Sequence, residues 1–341
     1  MTPRRTSRGF RIAMALVLVM GLGLSGLAVG SAAGADRVLL TNWVPEGGAA
    51  PVFHALEKGW FKAEGINLRI LRGYGSNKTA GDLEAGKTNF AYGDTASIIL
   101  IRAKGAKSKV VGVYMDKSPV GLAAVPPTPL RTPKDLEGRS LGMSPFSITR
   151  QLLPVLAAIN GVDVSKIRII TTQPGLGVSQ LLSGNFDISD MWEASSKEIA
   201  VVKAQEAGKK ISFIAYRDFG LDVYSLTFWA NEPTLKKDAK NLRGFLKAAY
   251  RGFRAARKNP QAAFASLMKH HPALDRKVTR LQIATLLNNL VDWDRWDRKG
   301  PGAIDAAKMQ ITLNTVRKGF KVKKDLKAQD IYTNAFLPGK M

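Results

Sequence analysis

The side chains that could carry catalysis are few in this chain of 341 residues. It has no cysteine, and its three histidines are His54, His270 and His271. Without cysteine there is no thiolate nucleophile, disulfide or cysteine metal site. No histidine stands in H-E-x-x-H or another metal-ligand spacing, and no G-x-S-x-G nucleophile elbow is present. Gly73-Tyr74-Gly75 lacks the third glycine of a dinucleotide-binding turn and reads as a turn, and no phosphate-binding loop is expected. His54 falls inside a helical stretch as a structural histidine. His270-His271 precedes Pro272 and reads as a helix end, where a cation complements the dipole. Neither a metal nor a cofactor is expected.

What the residue types do support is reversible binding. Trp43 offers a flat apolar face for a ring or a lid over one, and equally a core tryptophan at a strand end. Asn42 and Glu46 can hydrogen-bond a polar solute, or simply form the turn they occupy. Tyr74 and Ser76 supply an aromatic wall and a hydroxyl, against a plain turn-and-cap role. Asp94 and Thr95 open a helix, where backbone N–H groups converge; capping explains Asp94 just as well. Ser144, Ser147 and Thr149 gather at a later strand-to-helix turn. Trp192 and Glu193 follow a short strand, with packing between lobes as their other reading. Glu46, Asp94, Asp116, Asp190 and Glu193 make the candidate loops acidic, with Arg150 as the clearest nearby cation. Carboxylates suit the amino groups of a nitrogenous ring, whereas a sulfonate wants N–H and hydroxyl donors.

These residues need a scaffold of repeated strand–turn–helix units. Residues 38–40 read as a buried strand, Pro45, Gly47 and Gly48 as a turn, 49–58 as an amphipathic helix, and 66–71 as the next strand. The rhythm continues with a helix at 78–85 capped by Ser76 or Asn77, a strand at 89–92, a helix to 103 capped by Asp94, and a strand at 109–115. Residues 118–125 read as an extended crossing and 126–129, Pro-Pro-Thr-Pro, as a rigid exposed linker. A second series follows: a strand before 143, a helix at 149–160, a strand at 168–171, a helix at 175–183 and a strand at 186–189. Strands at 211–215 and 224–230 precede a helical remainder, in which 241–257 carries Leu242, Phe245, Leu246, Ala249 and Phe253 on one stripe. The pattern predicts an α/β fold with mostly parallel sheets whose turns gather at one end, and ligands in such sheets sit beyond the carboxyl ends of the strands.

The first residues carry a different message. Arg4, Arg5, Arg8 and Arg11 precede an apolar run over 12–29, and Ala33-Gly34-Ala35 offers a small-residue cleavage site before Asp36. That is the pattern of a cleavable secretory signal peptide at 1–35, with a retained anchor as the alternative. The formal net charge is +24, from 51 Lys and Arg against 27 Asp and Glu. The cations are scattered and lack interleaved aromatics or a helix-turn-helix, RNP or OB-type signature, so no nucleic acid is expected as a partner.

Four stretches together carry a family resemblance. They are Trp43 to Pro51 leading into A-L-E-K-G-W-F-K-A-E-G-I, T-P-K-D-L-E-G-R-S-L-G at 132–142, L-L-S-G-N-F-D-I-S-D-M-W-E at 181–193, and N-L-R-G-F-L-K-A-A-Y-R-G followed by N-P-Q-A-A. In this order they resemble NMT1/THI5-like solute-binding proteins, grouped with the nitrate, sulfonate and taurine binding components of ABC importers. The resemblance implies a two-lobed periplasmic binding protein of type II-like architecture, with hinge crossings between the lobes. The first lobe would hold 36–118 and 223–341, the second 119–222. It further implies a monomer in the periplasm that hands a small-molecule solute to an ABC permease at the inner membrane. Pyrimidine precursors, sulfonates, taurine, nitrate and aromatic acids are ligands of such proteins, and the acidic loops favour a nitrogenous heterocycle. Some relatives on the fold make the thiamin pyrimidine and carry a cysteine-rich motif; the absence of cysteine speaks against that enzymatic role.

Overall fold

A computed structural model describes residues 34–145 and 147–339. The expected leader therefore lies, except for its last two residues, outside the described residues. Among the described residues ten strands form two separate five-stranded sheets. In chain order they are β1 (Ala35–Leu40), β2 (Ile66–Leu71), β3 (Phe90–Asp94), β4 (Lys109–Val113), β5 (Val120–Ala124), β6 (Ser140–Met143), β7 (Arg168–Thr171), β8 (Ile188–Trp192), β9 (Ser212–Ala215) and β10 (Leu226–Ala230). The first sheet has the order β2-β1-β3-β10-β4 and the second β7-β6-β8-β5-β9. β1 is parallel to β2 and β3, and β6 to β7 and β8. One strand in each sheet runs against the rest: β10 lies antiparallel between β3 and β4, and β5 between β8 and β9. These are the strands that follow the two passages of the chain between the sheets, after β4 and after β9.

The sequence of each strand reflects its place in the sheet. β3, β5 and β10 are buried along their whole length and read as continuous apolar or small runs. The edge strand β2, I-N-L-R-I-L, instead exposes Asn67 and Arg69 between buried neighbours. The helix Ala239–Lys258 presents Leu242, Phe245, Leu246, Ala249 and Phe253 to the first sheet, all fully buried, and Phe245 stacks on Phe90 at 4.2 Å. Each large side chain buried this way contributes roughly 1.5–3 kcal/mol before entropy is counted. Gly252 lets the same helix approach the helix Ala50–Glu57, because a Cβ there would stand 2.2 Å from the Pro51 carbonyl oxygen. Leu122, Leu141, Leu152, Leu156 and Ile188 form the core of the second sheet with the helix Ile148–Ile159.

Several local expectations are corrected. The helix Ser76–Glu84 has Gly75 at its N-cap and no side-chain cap. Ser76 and Asn77 turn instead to the next unit: Ser76 Oγ accepts from Asp94 N at 3.0 Å, and Asn77 Oδ1 from the Ser97 hydroxyl at 2.8 Å. The helix Ser196–Glu206 was not foreseen, since its apolar residues form no single stripe; the usable signal was the capping box of Ser195 and Glu198. G-D-L-E-A-G-K-T at 81–88 does have the spacing of a phosphate-binding loop, contrary to expectation. Here a helix comes before the loop and a strand after it, the reverse of the required order, and Lys87 pairs with Asp82 at 3.0 Å. Among the described residues no helix is long and apolar enough to cross a membrane.

Candidate functional site

The loop after β1 carries Asn42, Trp43 and Glu46, and the segment after β2 fixes its position. Gly75 N donates to the Asn42 carbonyl at 2.8 Å, Gly73 N to Thr41 Oγ1 at 3.0 Å, and the Thr79 hydroxyl to the Thr41 carbonyl at 3.0 Å. A Cβ at Gly73 would lie 1.9 Å from the Thr41 carbonyl oxygen, so the two loops can touch only with glycine there. The chain then enters the helix Ala50–Glu57 through a short turn, Gly47–Ala49, whose first N–H donates to Gln282 Oε1 at 2.8 Å.

These loops open onto a cavity of about 630 Å³, within the range of pockets that enclose small organic solutes. Its walls come from both sheets. The first contributes Asn42, Trp43, Glu46, Tyr74, Ser76 and Asp94, and the second Ser144, Ser147, Asp190, Trp192 and Glu193. The cavity thus sits beyond the carboxyl ends of β1, β3, β6 and β8, as an α/β sheet dictates. Trp43 is 38% exposed and Tyr74 63%, with the Arg72 guanidinium 4.4 Å from the Tyr74 ring centre. Tyr92 and Tyr114, stacked at 4.5 Å, form the floor with Met115 and Leu226. The Tyr114 hydroxyl donates to the Gly48 carbonyl at 2.7 Å, which ties the floor to the first loop.

The carboxylates of the cavity differ in how they are compensated. Glu193 is buried and accepts from Lys197 Nζ at 3.0 Å and from Arg217. Asp94 caps the helix Thr95–Ala103, accepting from Ala96 N at 2.9 Å and from the Ser225 hydroxyl at 2.7 Å; burial pushes its carboxyl up to about 6. Asp190 accepts from the Ser147 hydroxyl at 2.5 Å, and burial pushes it up to about 6 as well. Glu46 has Gln282 Nε2 at 3.4 Å and the Ser195 hydroxyl as neighbours, and burial raises its carboxyl. Among the described residues Asp94, Asp190 and Glu46 form no ion pair, whereas two cations hold Glu193.

Ten of the twelve residues singled out from the sequence line this one cavity. Thr95 and Thr149 do not. Both are fully buried: Thr95 Oγ1 bonds the Ser225 carbonyl and the Thr227 hydroxyl, while Thr149 Oγ1 has no hydrogen-bond partner among the described residues. Each stands at the first position or turn of a helix whose β-branched side chain packs inward rather than toward the cavity. Arg150 is not a lining residue and bonds Thr171 Oγ1 at 3.3 Å; among the described lining residues the one basic side chain is Lys78. Asp116 belongs elsewhere, to a second cavity of about 280 Å³ with Asp222, Tyr224, Arg295 and Lys308. Tyr92 and Tyr114 were missed; the alternation of Phe90 and Tyr92 on one strand face was the available signal for the first. Gln282 was also missed. It lies in the helix Arg276–Thr285, and its side chain joins Gly47, Glu46 and the Ser195 carbonyl, the last at 3.1 Å. No local pattern in the sequence marks it.

Residues 47–263 match the model of the family described as NMT1/THI5 like. The chain belongs to the NMT1/THI5-like family. It is 23% identical over 309 residues to a 4-amino-5-hydroxymethyl-2-methylpyrimidine phosphate synthase of Legionella pneumophila, covering 88% of this chain and 92% of that one. It is 22% identical over 307 residues to the riboflavin-binding protein RibY of Chloroflexus aurantiacus, covering 88% and 86%. Identity is 23% over 242 residues to a formylaminopyrimidine-binding protein of Halalkalibacterium halodurans, covering 67% and 69%. Among solved structures, the periplasmic aliphatic sulphonate binding protein SsuA of Escherichia coli superposes with a TM-score of 0.70 at 16% identity, covering 88% and 98%. This NMT1/THI5-like chain therefore has the periplasmic binding protein fold, and both pyrimidine-binding and pyrimidine-synthesising proteins are among its relatives.

Proposed function

We propose that the chain is the exported solute-binding component of an ABC importer, and that it captures a small nitrogen-bearing ring of pyrimidine type. The observation that carries this reading is the cavity itself: about 630 Å³ between two sheets, with Trp43, Tyr74, Tyr92, Tyr114 and Trp192 as flat walls and three carboxylates that form no ion pair among the described residues. Aromatic faces hold a ring, and carboxylates accept from its amino groups. A sulfonate would meet those carboxylates at close range, an arrangement that costs rather than stabilises. The curated relatives named for pyrimidines and riboflavin support a ring-shaped, nitrogen-rich solute. The segments 36–118 with 223–341, and 119–222, are the lobes that would close on it by hinge motion at the two crossings. The partner is the permease of the importer, the chain acting as a monomer.

The deciding experiment is a thermal-shift panel of pyrimidines, flavins, alkanesulfonates and aromatic acids, followed by calorimetry. Pyrimidines should raise the melting temperature most, and a sulfonate as the tightest ligand would overturn the choice of solute. The synthase relatives favour a second reading, catalysis in the same cavity. Mass spectrometry of the protein incubated with candidate precursors separates the two, because a synthase forms a new pyrimidine and a binding protein forms none.

Two expectations follow. Trp43→Ala should lose about 1–3 kcal/mol of ligand binding through lost ring contact. Its ligand-free melting temperature should hardly move, since the ring is already 38% exposed. Unchanged affinity with a large loss of stability would make Trp43 a structural residue. Export should remove the first 35 residues, so N-terminal sequencing of the periplasmic protein should begin near Asp36; Met1 retained in the membrane fraction would contradict it.

A further inference from the structure

We infer that the cavity takes its solute as a cation, a heteroaromatic ring carrying a positive charge that sits between Asp94 of the first sheet and Asp190 of the second. This rests on the solute-binding reading above and specifies the charge of the solute. The chain carries 51 Lys and Arg against 27 Asp and Glu, so cations outnumber acids almost two to one. Yet among the described residues Asp94, Asp190 and Glu46, all lining one cavity, form no ion pair. Lys78, the one basic lining residue described, is spent on Asp82 at 2.6 Å. Glu193 is neutralised by Lys197 and Arg217, so its charge is already balanced.

The neighbours of each carboxylate are neutral or distant. The Asp94 carboxylate accepts from Ala96 N and the Ser225 hydroxyl, both neutral. Asp190 faces the Ser147 hydroxyl and Tyr216, with Arg150 weakly favouring its charge from the helix Ile148–Ile159. Glu46 faces Gln282, Ser195 and Tyr92. A ring cation supplies the missing charge to carboxylates on both sides of the cavity. The same ring stacks on Trp43 or Trp192, and aromatic faces attract cations in their own right. The net positive charge of the chain opposes a cation at long range. Salt screens that field within about 8 Å, while the carboxylates act at contact.

This arrangement links binding to protons. Burial holds the empty Asp94 and Asp190 at about 6, so near that pH each is about half protonated. A cation binds the ionised forms, lowers both values and releases the protons. Affinity should therefore fall as pH drops from about 8 to about 5, by roughly tenfold if one carboxylate is linked and roughly a hundredfold if both are.

The test uses calorimetry on the mature chain with three probes of one size: an N-methylated aminopyridinium, a neutral aminopyrimidine and an aromatic sulfonate. The pyridinium charge is fixed, so its pH profile reports the protein alone. It should bind tightest, weaken at low pH and release about one proton near pH 6, read from buffers of different ionisation enthalpy. Asp190→Asn keeps the acceptor for Ser147 and should cost about tenfold in pyridinium affinity and about half the proton release; Asp94→Asn, which keeps an acceptor for Ala96 N, is the parallel variant. If either fails to fold, the wild-type pH profile decides. A pyridinium affinity independent of pH, or a neutral probe that binds as tightly, overturns the inference and leaves the solute-binding reading standing. Failure of all three probes and of the wider pyrimidine panel overturns both.

Discussion

Arg295→Leu is expected to destabilise the protein by about 3–5 kcal/mol, the cost of leaving a buried charge without its partner. Asp116 is buried in the first passage between the sheets, and burial raises its carboxyl despite the donors around it. Arg295 Nη1 donates to Asp116 Oδ1 at 2.9 Å, while Trp296 Nε1 and Asp292 N donate to Oδ2 at 2.8 and 3.1 Å. The same guanidinium reaches the Tyr224 hydroxyl at 3.1 Å, next to the second passage. Lys308 Nζ completes the knot, with the Asp116 carbonyl at 2.9 Å and Asp222 at 2.7 Å. Leucine at 295 leaves two neutral donors on a carboxylate that can then escape only by taking a proton, so the loss should shrink at acidic pH. Urea unfolding of Arg295→Leu and of Arg295→Leu with Asp116→Asn checks the cause. The second change removes the charge and should restore most of the stability. A single variant within about 1 kcal/mol of wild type, or a double variant no better than the single, would show that the pair does not hold the crossings.

The knot also shows where sequence reading stops. Asp116 was placed with the candidate binding carboxylates because it follows a strand, as Asp94 does. The difference between them is Arg295, 179 positions away, and nothing local announces it. The strand–turn–helix rhythm was legible because it is written in periods of about two and 3.6 residues within short windows. The loops at 42–48, 74–76, 144–147 and 192–193 were legible for the same reason, since a βα turn must lie at the carboxyl edge of its sheet. Which side chains of a turn face outward was not. Ser76 reaches to Asp94 N rather than capping its own helix, and Thr95 and Thr149 turn into the core. The placing of Gln282 against Glu46, 236 positions apart, depends on how the C-terminal helices pack, which no local signal encodes.

Glu198→Gln is expected to stabilise the protein above neutral pH, by an amount on the order of 2–3 kcal/mol. Glu198 is buried where the helix Ser196–Glu206 meets the helix Arg276–Thr285. It accepts from Ser195 N at 3.0 Å as the third residue of a capping box and from the Thr285 hydroxyl at 2.8 Å. Burial pushes its carboxyl up to about 7, with Thr285 and Lys197 pulling the other way and Glu193 adding to the rise. The folded form therefore keeps its proton where the unfolded chain, titrating near 4.5, has lost it. Between those values the folded state binds more protons, so stability falls as pH rises through the window and the full penalty stands above about 7. Glutamine has the same length, keeps an oxygen for Ser195 N and Thr285, and serves equally in a capping box. Its melting temperature should exceed that of wild type by several degrees near pH 8. Near pH 4, where Glu198 is largely neutral in the folded and the unfolded chain alike, the two should nearly coincide. Subtracting the two curves removes every other titrating group, so the difference reports this side chain. A variant no more stable than wild type near pH 8 would mean that the ionised Glu198 is solvated where it sits. The Glu198–Thr285 contact joins chain on opposite sides of the cavity, alongside the bond from Gln282 to the Ser195 carbonyl. Relieving the buried charge should therefore tighten this contact, and alkaline solution should loosen it more in the wild-type protein than in the variant.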